Sequence, residues 1–197
     1  MKKVSISILA FLSVIASAQI RTPFDRYNAD VIAAMGLTGV PSSTNAPTWF
    51  IPSNFVFGAI SVSVKRVNPD VMLLDHPHRL LFSDGAEPVL CHAYPRLESN
   101  NVARVLGNAI GGPSNLPAEM FAAMFSVETN HTGFVVIEPQ NGTTSRDFVV
   151  AIFNDAIVRV DTSATNRIEL ATAILRAGGV EIPDEPLPRN PEPELEP

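Results

Sequence analysis

Apolar and polar residues alternate in several short blocks of this chain and recur at helical spacing in others. The clearest alternation runs over residues 55–65. Val56, Ile60, Val62 and Val64 fall on one side, Ser61 and Ser63 on the other, with Gly58 between them. A period of two predicts a half-buried strand. Asn68-Pro69-Asp70 reads as a turn, and residues 71–74, 79–82 and 88–94 follow as short strands, the last two joined through Ser83-Asp84-Gly85. Turn formers between short apolar runs predict an antiparallel meander. A second meander is predicted over residues 133–138, 148–153 and 156–160, with Gln140-Asn141-Gly142 and Asn154-Asp155 as its turns.

Helical spacing appears in four places. Tyr27, Val31, Ala34 and Met35 line a helix over residues 25–35, capped by Thr22 or Asp25 and stopped by Gly36. Val102, Val105, Leu106, Ala109 and Ile110 repeat at i, i+3, i+4, i+7 and i+8 behind Ser99, up to Gly111-Gly112. Met120, Phe121, Met124 and Phe125 form a bulky face after Pro117. Ile168, Ala171, Ile174 and Leu175 line a last helix, capped by Ser163 or Asn166 and ended by Gly178-Gly179. The pattern predicts an α+β domain, an antiparallel sheet or sheets with about four helices packed against them. The order is helix, strands, two helices, strands, helix.

The two ends depart from this pattern. Lys2 and Lys3 precede an apolar run from Val4 to Ile15 and the small-residue site Ala16-Ser17-Ala18. Together these make the three-part signature of a cleavable secretory signal peptide over residues 1–18. It places the mature chain, starting at Gln19, in the periplasm or outside the cell. At the other end, IPDEPLPRNPEPELEP holds six prolines and five acids. Such a stretch buries too little apolar surface to order itself, so residues 183–197 are expected to form a disordered acidic tail. The globular domain is expected over residues 19–182.

Charge narrows the partners. The formal balance is −6 and no basic cluster occurs after the leader. The electrostatic footprint of nucleic-acid binding is missing, and attraction to anionic membranes is disfavoured. No mature segment is long and apolar enough for a membrane span. A single cysteine, Cys91, excludes an intrachain disulfide framework and is read as a small buried hydrophobe.

Candidate chemistry concentrates in DHPHRLLFSDGAEPVLCH, residues 75–92. Side chains at i and i+2 share a face of an extended chain. His76 and His78 therefore form an H-x-H pair, and His92 approaches if the neighbouring strands pair. Three imidazoles with Asp75 or Asp84 alongside make a candidate site for Zn, Cu or Fe. A polar corner at the surface of a sheet is the plainer account of the same residues, so no cofactor is expected. Phe121, Met124 and Phe125 are candidates for an adaptable apolar ligand site, with core packing as the competing account. Asn130-His131-Thr132 and Asn141-Gly142-Thr143 match the glycosylation sequon. No nucleophile elbow, metalloprotease helix or C-x-x-C motif occurs.

The expected function is a small exported, non-enzymatic module that binds a protein or an envelope component. Such a module needs an exposed apolar patch or a sheet edge. The alternatives are a metal-dependent exported enzyme using His76, His78 and His92, and a carrier of a small apolar ligand.

Overall fold

Gly58 decides how the first strands form. The structure is a computed structural model that describes residues 30–31, 33–37, 49–67, 77–94, 102, 105–106, 117–140, 144, 147–154 and 156–188. Gly58 has φ +60° and starts a two-residue turn, the backbone that glycine at the first turn position supplies. The expected single strand over residues 55–65 is therefore two strands, β1 (Asn54–Phe57) and β2 (Ile60–Arg66), with Phe57 opposite Ile60. The turn resets the alternation. Phe55 points into the core and Val56 stands 66% exposed, so Val56 does not share the buried face of Val62.

β3 (Pro77–Phe82) and β4 (Val89–Tyr94) complete the first meander. A short helix α1 (Ala118–Met124) runs directly into β5 (Phe125–Thr129), then β6 (Val135–Pro139), β7 (Val149–Phe153), β8 (Ala156–Asp161) and helix α2 (Arg167–Ala177). The eight strands of the described residues form one antiparallel sheet in the order β1-β2-β3-β4-β8-β7-β6-β5. The two meanders join through β4 and β8, where Leu90 to Tyr94 pair with Asp161 to Ile157. β7 and β8 carry nearly continuous apolar runs because both of their faces are covered.

The expected fold class is corrected here. The domain is mostly β, one eight-stranded antiparallel sheet with two helices among the described residues, not a sheet packed by about four helices. Only isolated residues of the other two expected helices are described. The expected third helix also ends early. Phe125, placed on its apolar face by spacing, begins β5, where Phe-Ser-Val-Glu-Thr alternates at period two. The expected strand over residues 71–74 lies outside the described residues. So do the proposed signal peptide and the chain beyond residue 188.

Each face of the sheet has its own core. On one, Leu170, Ala171, Ile174 and Leu175 of α2 pack on Val62, Leu80, Cys91, Val149, Val158 and neighbours. Burial of each larger aliphatic chain is worth about 1.5–3 kcal/mol. α2 contacts β7, β8 and also β1, which stands far away in the strand order. The sheet therefore curls around α2. On the other face, Phe121, Phe125, Ile137, Phe148 and Ile157 pack with Val31, Val105 and Leu106. No helix of the described residues is long and apolar enough to cross a membrane.

Two adjacent glycines turn the chain back after α2. Gly179 has φ +91°, and the Val180 N–H returns to the Leu175 carbonyl at 3.0 Å. Gly178 serves close approach: a Cβ there would stand 2.7 Å from the Phe50 carbonyl oxygen and 2.8 Å from Trp49 Cε3. Backbone and a buried indole give way poorly. Gly178→Ala is expected to cost about 1–3 kcal/mol by overpacking, read as a lower urea midpoint. An unchanged midpoint would show that the Trp49–Phe50 segment shifts freely.

Candidate functional site

The strand register decides what the histidine-rich stretch can do. β3 and β4 do pair, and they set His78 opposite Cys91 and Pro77 opposite His92. Directly opposed residues share a face and adjacent ones alternate. His78 thus lies on the α2 face with Cys91, and His92 on the other. Both are buried. His76 and Asp75 lie outside the described residues, and Asp84 is exposed at the β3–β4 turn, its Oδ1 accepting from the Ala86 N–H. The expected convergence of His78 with His92 on one metal is not what the register builds. Among the described residues, no group of three His, Cys, Asp or Glu side chains is placed to hold a metal ion.

His92 belongs to a different constellation, which the sequence reading missed. It pairs across the β4–β8 junction with Arg159, and Asp161 follows on the same face. Arg159 is 4% exposed. Its Nε and Nη2 donate to the two Asp161 carboxylate oxygens at 2.8 and 3.0 Å, and Nη2 also donates to His92 Nε2 at 2.7 Å. Arginine has no acceptor, so this geometry needs the neutral His92 ring with its proton on Nδ1. Arg159 Nη1 is buried without a hydrogen-bond partner among the described residues. The signal available in sequence was an Arg inside the apolar run AIVRVD with an acid two residues on; only His92 comes from another strand.

Cys91 faces the opposite core and is fully buried. Burial pushes its thiol far above the usual range. The Asp161 carboxylate adds to this, and Arg159 opposes it. The thiolate is the reactive form, so native Cys91 is expected to resist an aromatic disulfide reagent, reacting only as fast as the domain opens. Labelling at the rate of a free thiol without denaturant would overturn its assignment as an inert core residue.

The candidate ligand face is packed inside the domain. Phe121 and Phe125 are buried, with ring centroids 6.0 Å apart, and Phe125 meets Phe148 edge-on at 5.9 Å. Met124 is half-buried beside them. At the expected apolar ligand site of Phe121, Met124 and Phe125, rings in mutual contact pack into the core of that face.

The open concavity lies on the other face. α2, β1, Phe134 and residues 182–187 enclose a groove of about 760 Å³. Its floor is apolar, with Phe55, Phe134, Ile168, Ala173 and Ile182, and its rim carries Glu169, Arg176, Asp184 and Glu185. One wall is the start of the Pro/Glu-rich segment expected to be disordered. Ile182 is buried. Arg176 Nη2 donates to the Ile182 carbonyl at 3.1 Å and to Asp184 at 2.5 Å. Asn130 Nδ2 donates to the Glu185 carbonyl at 3.2 Å, and His131 Nδ1 lies 2.8 Å from the Glu185 carboxylate. Contacts therefore cross the expected domain boundary after residue 182.

Asn130 holds this corner together. Its Oδ1 accepts from the Thr132 N–H, the Thr132 hydroxyl and the Phe134 N–H, at 3.1, 2.6 and 2.9 Å. The residue is 6% exposed. A glycan on this sequon would displace the Glu185 carbonyl from Nδ2. Asn141, the second sequon, lies outside the described residues. No protein-family model matches the chain, and neither a curated protein nor a solved structure shows significant similarity to it.

Proposed function

We propose that this chain is an exported, non-enzymatic binding module that holds part of another protein or an envelope component in the groove between α2, β1 and residues 182–187. The groove is the observation that carries the reading. Its volume of about 760 Å³ lies within the range of established ligand sites, and an apolar floor with a few polar groups at the rim is their usual make-up. The leader-like residues 1–18 support export. The acidic balance of −6 keeps such a module soluble and away from anionic surfaces.

The test is a photo-crosslinking residue at Ala173, on the floor, compared with one at Asn154, on the exposed β7–β8 turn. Illumination of producing cells is expected to give a discrete adduct from position 173 and none from 154. No adduct at 173, or the same products from both positions, would overturn the groove as the recognition site.

A further inference from the structure

β1 lies at one end of the described sheet and, among the described residues, pairs only with β2. The Val64 N–H donates to the Ser53 carbonyl at 2.8 Å, and the tight turn closes on Phe57 opposite Ile60. In an antiparallel ladder, bonded and non-bonded pairs alternate. Ser53, Phe55 and Phe57 thus turn their main-chain groups toward β2, and Asn54 and Val56 turn theirs outward. Those outward N–H and C=O groups carry no hydrogen bond among the described residues. Sheet edges are normally blunted by lysine, proline or a bulge. Here Pro52 guards only the approach to β1. The opposite edge is partly occupied, since Gln140 Nε2 donates to the Phe125 carbonyl of β5.

This open edge borders the groove. Phe55 and Val56 both line it. Phe55 is buried, and Val56 and the nearby Phe50 are 66% and 70% exposed. A strand laid along β1 would place alternate side chains on the Phe55 face, over Ile168 and Ala173. The rim has Glu169, Asp184 and Glu185 against Arg176, which is already tied to Asp184. Pairing of β1 with a second copy would set two such acidic rims against each other across a two-fold axis. A basic segment meets no such repulsion.

We propose that the groove's occupant is an extended peptide segment that adds to β1 as an extra strand, with apolar side chains in the groove and alternating lysine or arginine against Glu169 and Glu185. Main-chain bonds to Asn54 and Val56 would supply affinity, and pockets for alternate side chains the specificity. The inference rests on the groove being the recognition site.

The probe is a short capped peptide alternating lysine and valine. Its controls are a glutamate–valine counterpart and a lysine–valine peptide N-methylated on alternate amides. Binding to the full mature chain is followed by amide hydrogen exchange and side-chain shifts. The lysine–valine peptide is expected to slow exchange at Asn54 and Val56 and to shift Thr172 and Ala173. N-methylation should weaken it by about tenfold or more through lost main-chain bonds. Glu169→Lys should also weaken it, and the glutamate peptide should not bind. Groove shifts without protection of Asn54 and Val56, equal binding of both charge types, or no binding would each overturn strand addition. Concentration-dependent protection without peptide would instead identify a second copy as the occupant. If a crosslink at Ala173 survives any of these failures, the groove stands as a binding site and only its occupant was misassigned. Loss of the crosslink as well removes both.

Discussion

Changing Asp161 to alanine is expected to lower the unfolding free energy by about 3–5 kcal/mol, the cost of leaving the buried Arg159 charge without its carboxylate. Arg159 is 4% exposed, so water cannot replace the two bonds it gives to Asp161. His92 cannot compensate, because as an acceptor for Arg159 its ring is neutral. Asp161→Asn keeps the shape but loses the charge, so it should also be markedly destabilising. Replacing both partners, Arg159→Met with Asp161→Leu, should restore most of the loss. It removes the charges together, along with the Arg159 Nη1 donor that has no partner among the described residues. Urea unfolding followed through Trp49, the only tryptophan, measures all four chains. A loss below about 1 kcal/mol for Asp161→Ala is the behaviour of a solvated surface pair and would contradict a buried charge at the centre of the sheet.

Phe121→Ala is expected to cost a similar amount, about 3–5 kcal/mol for a large ring removed from a packed core. Phe121 has no exposed surface and stacks on Phe125. α1 is seven residues long and its N-cap, Pro117, makes no side-chain bond. A helix so short is marginal on its own, so its place depends on this ring. Met120 of the same helix is 46% exposed, and Met120→Ala should stay within about 0.5 kcal/mol. Unfolding curves separate the two. A fluorescent fatty-acid analogue tests ligand binding at these rings directly. If it binds the native chain and Phe121→Ala abolishes that binding with little loss of stability, the rings line a site instead of filling a core.

The candidate sites were only partly legible because their geometry depends on pairing. His78 and His92 both read as strand residues from their neighbours, and both are in strands. The register that puts Pro77 opposite His92 sends the two rings to opposite faces. A shift of one residue would have brought His78 and His92 to the same face. Arg159 drew no reading from the sequence: its carboxylate partner Asp161 is two residues on, but His92 lies 67 positions away on β4, and only the strand pairing joins the three. Residues 183–187 looked unable to order because their own composition offers little to bury. Asn130, His131 and Arg176 supply the bonds from outside the segment.

The sequence by itself determined the local rules of this protein. Period-two alternation placed most strands of the two meanders, the apolar spacing and Gly178-Gly179 placed α2, and the lone buried cysteine was foreseen from its apolar neighbours. Each of these is a property of a few consecutive residues. The tertiary structure alone decided that β8, not β5, lies beside β4, that the sheet curls until β1 reaches α2, and that a groove opens there bordered by a strand edge with no partner among the described residues. Those depend on which distant strands exchange hydrogen bonds. Many pairings satisfy the same alternation, and only packing of both faces at once selects one of them.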